Sequence, residues 1–291
     1  MVGSRLDAVR DPLGPVIAYL ADLKRGGRVD AWLTRSAAFA QIDVPPAMLE
    51  RLIAMDGVFQ ARFASSLGVA MAAHGVQHDG TLAEALSVMG RQRVHCIGAM
   101  VGIDLVTTEL CRKAGIAPRP LVMQAVATAG AAAHLAERSK AGQPSIARLA
   151  GLYMRIGIPL LAGLHGAKYQ AVWQSLAGGS CSVAEAERTA FGYSHEVVGA
   201  TTSQFWPLPP AIVDGMNVHR REIRALAGVP FCVSVGSIIA HQMGLDGGAA
   251  NSPPELPLSS LERVGIDGND LAALADEISV DISLAGKMLD A

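Results

Sequence analysis

A chain of 291 residues can bury one large core or two modest ones, and with 51% apolar but only 4% aromatic residues it is built mainly of Ala, Leu, Val and Gly. That small-residue bias favours closely packed helices over a β-sandwich, which draws on Tyr, Phe, Thr and Ile. A formal net charge of −2 leaves no footprint for a polyanion and argues against nucleic acid as a partner.

Taken in order, residues 1–43 contain two helix-like pieces, Pro15–Lys24 and Val29–Ala40, split by Arg25-Gly26-Gly27. After Pro45-Pro46 comes a short amphipathic helix with Met48, Leu49, Leu52 and Ile53. Asp56 starts a longer one that carries Phe59, Phe63 and Leu67 at helical spacing and stops at Gly75. Thr81 with Glu84 reads as a capping box, and Gly90 separates that helix from a long apolar one, about Val94 to Lys113. Ala117-Pro118-Arg119-Pro120 is the internal boundary. Beyond it the spacing predicts a helix from Leu121 to Arg138, one capped by Ser145 and running to Pro159, and one reaching Leu176.

The stretch from Ser182 to Arg220 is the densest in local signals. Ser182 and Glu185 form an S-x-x-E capping box, and the helix ends at Phe191-Gly192. Ser194 is expected to cap a second helix from His195 to about Phe205, and Pro210 to open a third at a position whose amide needs no partner. An apolar helix over Phe231–Met243, a Gly/Pro-rich loop over Gly244–Pro257, a start at Ser259-x-x-Glu262 and a last helix capped by Asp267 complete the chain. No alternating strand is expected; the chain is read as all-α.

The four cysteines (Cys96, Cys111, Cys181, Cys232) show no C-x-x-C pair and read as small hydrophobes in a reducing compartment. No signal peptide opens the chain. Its most apolar runs, near Leu121–Ala133 and Val229–Ala240, are shorter than the ~20 residues of a membrane span, so no membrane role and a cytoplasmic location are expected. No phosphate-binding G-x-x-x-x-G-K or Ser-His-Asp pattern is present.

The run F-G-Y-S-H-E-V-V-G followed by W-P-L-P-P-A-I-V, within Glu185–His219, resembles the HDOD domain, a bacterial signalling-associated relative of the HD-type metal phosphohydrolases. Leu49–Leu67 and Thr81–Val94 resemble earlier helices of that family, in the same order, so the resemblance covers about 45–245. It implies an N-terminal helical bundle (1–117), an HD-like helical core (118–245) and a helical tail (246–291).

HD phosphohydrolases use a His, an adjacent His-Asp pair and a distant Asp to hold a divalent cation. The resemblance aligns these positions with Gln124, the Met154-Arg155 pair and Ser237. None suits a hard cation: thioether sulfur is soft, and amide and hydroxyl oxygens are neutral. Arg155 would add a permanent positive charge, repelled by a unit charge ~4 Å away by about 4 kcal/mol at an effective dielectric of ~20. The expectation is therefore a degenerate, non-catalytic site with no cofactor and no bound metal.

His195 is either a helix-start residue bonded locally or a polar group facing the remnant cleft with Gln124, Met154, Arg155 and Ser237. His219, Arg220 and Arg221 suit a helix C-terminus; with Arg155, His219 and Arg220 are also a candidate anion site. Phe205 and Trp206 read as core anchors, His74, His78 and Asp79 as a weak metal spacing, and Cys181 as a bland residue before a cap. The expected function is regulatory, through a protein partner in a signalling pathway or a nucleotide ligand gripped by Arg155 and Arg220. The alternative is a divergent phosphohydrolase acting on nucleotides or cyclic dinucleotides, its metal held by His165, His195, His219 and His241.

Overall fold

The computed structural model describes residues 13–76, 81–179, 181–217, 223–249, 255–256, 258–262 and 264–291. The helices are α1 (Gly14–Lys24), α2 (Arg28–Ala40), α3 (Pro46–Ala54), α4 (Gly57–Ala73), α5 (Leu82–Met89), α6 (Arg91–Lys113), α7 (Pro118–Ser139), α8 (Pro144–Tyr153), α9 (Gly157–His165), α10 (Ala167–Ser175), α11 (Val183–Phe191), α12 (His195–Thr202), α13 (Pro210–Met216), α14 (Gly228–Gln242), α15 (Leu258–Glu262) and α16 (Gly268–Asp290). Among the described residues there is no strand, and the fold is all-α.

The alanine-rich helix α7 is the central strut, packed by α14, α8, α16 and α6. Small side chains let its neighbours approach its backbone. A Cβ added to Gly151 of α8 would fall 2.7 Å from the Ala129 Cα, and one on Gly236 of α14 would fall 2.9 Å from the Ala132 amide nitrogen. This is how a chain with few aromatics still reaches native packing density. The aromatics it has are concentrated: Phe39, Phe59 and Phe63 cluster where α2 meets α4, with Phe39 and Phe63 centroids 5.0 Å apart. Ser36 ties α2 to α6 by donating to the Ala99 carbonyl at 3.0 Å, and its oxygen lies 2.6 Å from the Tyr153 hydroxyl of α8.

Several predicted starts hold. Asp56 accepts from the Val58 and Phe59 amides, Ser182 and Glu185 form the full box, Gly192 is left-handed with φ 83°, and Asp267 boxes with Asp270. Thr81 caps α5 as expected, its hydroxyl accepting from the Glu84 amide at 3.4 Å. Others need correction. Ser145 lies inside α8, whose first residue is Pro144, and its buried hydroxyl has no partner. The predicted helix from Ser145 to Pro159 is two helices broken by a turn at residues 154–156. Ser259 and Glu262 both lie within α15 and do not flank its start.

Two stretches, Arg91–Lys113 and Pro144–His165, are long and apolar enough to cross a membrane, contrary to the sequence reading. Most of each apolar window is buried inside the fold, as in a core helix of a globular protein. The four cysteines are free.

Candidate functional site

The break between α8 and α9 puts Arg155 at the turn, between two buried neighbours, Met154 and Ile156. The turn is held against α12 because α9 opens with a glycine. A Cβ on Gly157 would fall 1.9 Å from the His195 carbonyl oxygen and 2.9 Å from the Gly199 amide nitrogen. The side chain of Arg155 is partly buried and its Nε is buried without a hydrogen-bond partner. Burial lowers the guanidinium pKa, opposed most strongly by Glu187 and then by Tyr169, Glu196 and Asp246. A fixed cation thus sits among acidic and phenolic groups from α10, α11, α12 and the loop after α14.

Glu187 of α11 is the centre of this arrangement and is fully buried. Its Oε1 accepts from the Tyr169 hydroxyl at 2.5 Å, and its Oε2 accepts from both the backbone N–H and the Nδ1–H of His195, each at 2.6 Å. Three donors and a nearby guanidinium are what a buried carboxylate requires. Burial and the Glu187 charge raise the Tyr169 phenol well above its ordinary range, so it stays a donor. The same contacts correct the predicted cap: Ser194 makes no capping bond to α12, the Glu187 carboxylate holds the first amide instead, and Ser194 donates to Glu196 at 3.1 Å. Helix α12 ends at Thr202, short of Phe205.

Sequence reasoning missed Glu187. In the structure it lies on the buried stripe of α11 beside Val183 and Ala184, where a carboxylate must be paired, and nothing in the sequence marks that burial.

Gln124 of α7 is fully buried, and neither atom of its amide has a partner. Gly247, with φ 75°, covers it: a Cβ there would lie 2.5 Å from the Gln124 Oε1. Gly247 is followed by Gly248, whose amide donates to the Asp246 carboxylate at 2.7 Å. Met154 is a core side chain, and Ser237 is buried within α14. The structure therefore brings Arg155, Glu187 and His195 together, with Asp246 near Arg155 and its neighbour Gly247 over Gln124. His219, Arg220 and Arg221 lie outside the described residues, as do His78 and Asp79.

A divalent cation does not fit what is present. Of the residues that the resemblance singles out, Gln124 is an orphaned amide, Met154 a buried thioether and Arg155 a guanidinium, none of which suits a hard cation. Among the described residues no group of three or more His, Cys, Asp or Glu side chains could hold a metal ion. Of the alternative ligands, His165 stacks on Phe191 at 3.9 Å with its Nε2 3.0 Å from the Tyr193 hydroxyl, His195 is engaged by Glu187, and His241 is buried in α14. Burial, and then the charge of Lys168, lower the His165 pKa. Trp206 anchors as expected, buried and donating to Asp30 at 2.8 Å.

The HDOD domain matches residues 35–222. Three solved structures share the fold. A protein of Shewanella amazonensis SB2B, named provisionally as a phosphohydrolase, is 17% identical with a TM-score of 0.66, covering 95% of this chain and 98% of its own. A protein of Marinobacter aquaeolei VT8, assigned provisionally to signal transduction, is 18% identical with a TM-score of 0.72, over 96% of this chain and 65% of its own. An HDOD domain protein of unknown function from Geobacter sulfurreducens is 16% identical with a TM-score of 0.64, over 95% and 93%. No curated protein matches the chain.

Proposed function

Because the chain belongs to the HDOD family, we propose that it is a cytoplasmic signalling module that acts by binding a protein partner or a small ligand, and that it does not hydrolyse phosphate esters through a metal. The observation that carries this reading is Arg155. On the alignment that the resemblance suggests, a guanidinium takes the place of a metal ligand, and its charge is supported by Glu187, Tyr169, Glu196 and Asp246. The protein supplies its own cation, and the surrounding charges are arranged for it.

The name of the Marinobacter relative supports a signalling context, and that of the Shewanella relative supports the competing hydrolase reading. In the proposed organisation, residues 1–117 form the supporting bundle, 118–245 the HD-like core and 246–291 the tail.

Titration calorimetry with Mn²⁺, Mg²⁺ and Zn²⁺, run beside a phosphodiesterase assay on cyclic dinucleotides and nucleotides, tests the reading. No stoichiometric metal binding and no turnover are expected. Tight metal binding with turnover that disappears in Arg155→Ala would overturn it. Nucleotide-dependent thermal stabilisation, lost in the same variant, would identify the small-ligand branch.

A further inference from the structure

The last helix is held to the body by a buried apolar stripe flanked by ion pairs. Helix α16 packs on α4 and α7, with Leu274, Ile278, Ala285, Met288 and Leu289 as its buried face, while Val280 on the far side is 68% exposed. Its acidic residues meet cations in the trough. Arg138 grips Glu277 with two bonds of 2.8 and 2.9 Å, Arg148 of α8 donates to Asp281 at 2.8 Å, and His134 lies 3.1 Å from Glu277 and 3.2 Å from Asp281. Gly130 leaves room for the Asp281 carboxylate, which a Cβ there would approach to 3.0 Å.

At the far end Arg119 pairs with Asp290 at 3.1 Å, and Arg62 and Ser66 donate to the Leu289 and Met288 carbonyls at 2.7 and 3.1 Å. The helix itself carries Asp270, Asp276, Glu277, Asp281 and Asp290 against the single cation Lys287.

We propose that the trough between α4 and α7 is a docking groove for an acidic amphipathic helix of a partner protein, and that α16 occupies it in the resting chain. The charge complementarity specifies the occupant: one apolar stripe, and carboxylates placed to meet Arg119, His134, Arg138 and Arg148. A helix laid by its apolar face into a groove is a common recognition mode, with pairings at the rim setting specificity. The last carbonyls are taken through main-chain oxygens, which any helix C-terminus offers. Because α16 is joined to the body through residues 243–267, it competes at high effective concentration and keeps the groove filled until a partner arrives. The proposal rests on reading the chain as a partner-binding module, but its test is separate from the metal and hydrolysis test of that reading.

The probe is a labelled synthetic peptide of residues 266–291, added to the full-length chain and followed by fluorescence anisotropy. The wild-type chain should bind it weakly. A chain with Glu277→Lys and Asp281→Lys, in which the resident helix is repelled, should bind it at least tenfold more tightly. Adding Arg138→Glu and Arg148→Glu to that chain should remove the gain. Equal binding to the wild-type and Lys-substituted chains, or binding indifferent to Arg138 and Arg148, would overturn the proposal. So would concentration-dependent dimerisation of the Lys-substituted chain without peptide capture.

Should the substituted chain fail a circular-dichroism check of folding, hydrogen exchange on the wild-type chain decides. The amides of α16 should then open together, with protection at least 100-fold below that of α7. Matching protection of the two helices would count against the groove.

Discussion

At the scale of single residues, the site is governed by how buried polar groups are satisfied. Glu187 satisfies three donors and faces Arg155. Glu187→Ala should therefore cost about 3–5 kcal/mol, read by urea denaturation, because it strands a buried phenol, an amide, an imidazole and a guanidinium together. Gln124 is the opposite case, a fully buried amide with neither atom bonded. Gln124→Met should stabilise the fold by about 1 kcal/mol, a rise of roughly 2–4 °C in melting temperature, since an apolar side chain of similar size removes an unmet demand. A fall in melting temperature would show that the amide is satisfied in solution. Gln124 and Arg155 were singled out from the sequence through the resemblance, and the structure adds that the amide is buried without a partner and that the guanidinium lies near Glu187. Glu187 was not, because a lone glutamate in an amphipathic helix looks like a solvated one until burial is known.

At the scale of elements, the helices themselves were legible from caps and spacing, most starts lying within a few residues of the predicted ones. What failed was the prediction of breaks without a breaker. Nothing in Leu152-Tyr153-Met154-Arg155-Ile156 announces a turn. The interruption at 154–156 is imposed by packing, since Gly157 must meet the His195 carbonyl. This makes a sharp comparison of two glycines in the same contact. Gly157→Ala should destabilise the chain by about 3 kcal/mol, because the new methyl meets backbone that cannot yield. Gly199→Ala, whose Cβ would find its nearest neighbour at 3.6 Å, should be tolerated. Differential scanning calorimetry of the two variants reads the contrast directly; equal melting temperatures would mean that the α9–α12 contact is looser than described.

At the scale of the whole molecule, the attachment of the tail gives a pH dependence with a definite sign. Burial alone would raise the Asp281 pKa, but the His134 hydrogen bond and the Arg148 charge outweigh it and hold the carboxylate at about 2. A depressed carboxylate stabilises the folded state fully above its unfolded value near 3.9 and loses that contribution as pH falls toward the folded value. Asp281 should thus supply about 2 kcal/mol above pH 5, fading between roughly pH 4 and 2. Urea melts of wild type and Asp281→Asn across that interval should converge as the pH drops; parallel curves would contradict the assignment. The tail helix was foreseen from Asp267, but the trough that receives it was not. Its cations come from α4, α7 and α8, far apart in sequence and meeting only in the fold. The covering of Gln124 by Gly247 has a consequence for substitution at the site. Gln124→His would put a bulkier ring beneath Gly247 in place of the amide, and Arg155→Asp would replace the guanidinium near Glu187 and Asp246 with a like charge. Each of these changes taken alone should lower the melting temperature, because the covering glycine and the charges around Arg155 are fitted to the side chains now present.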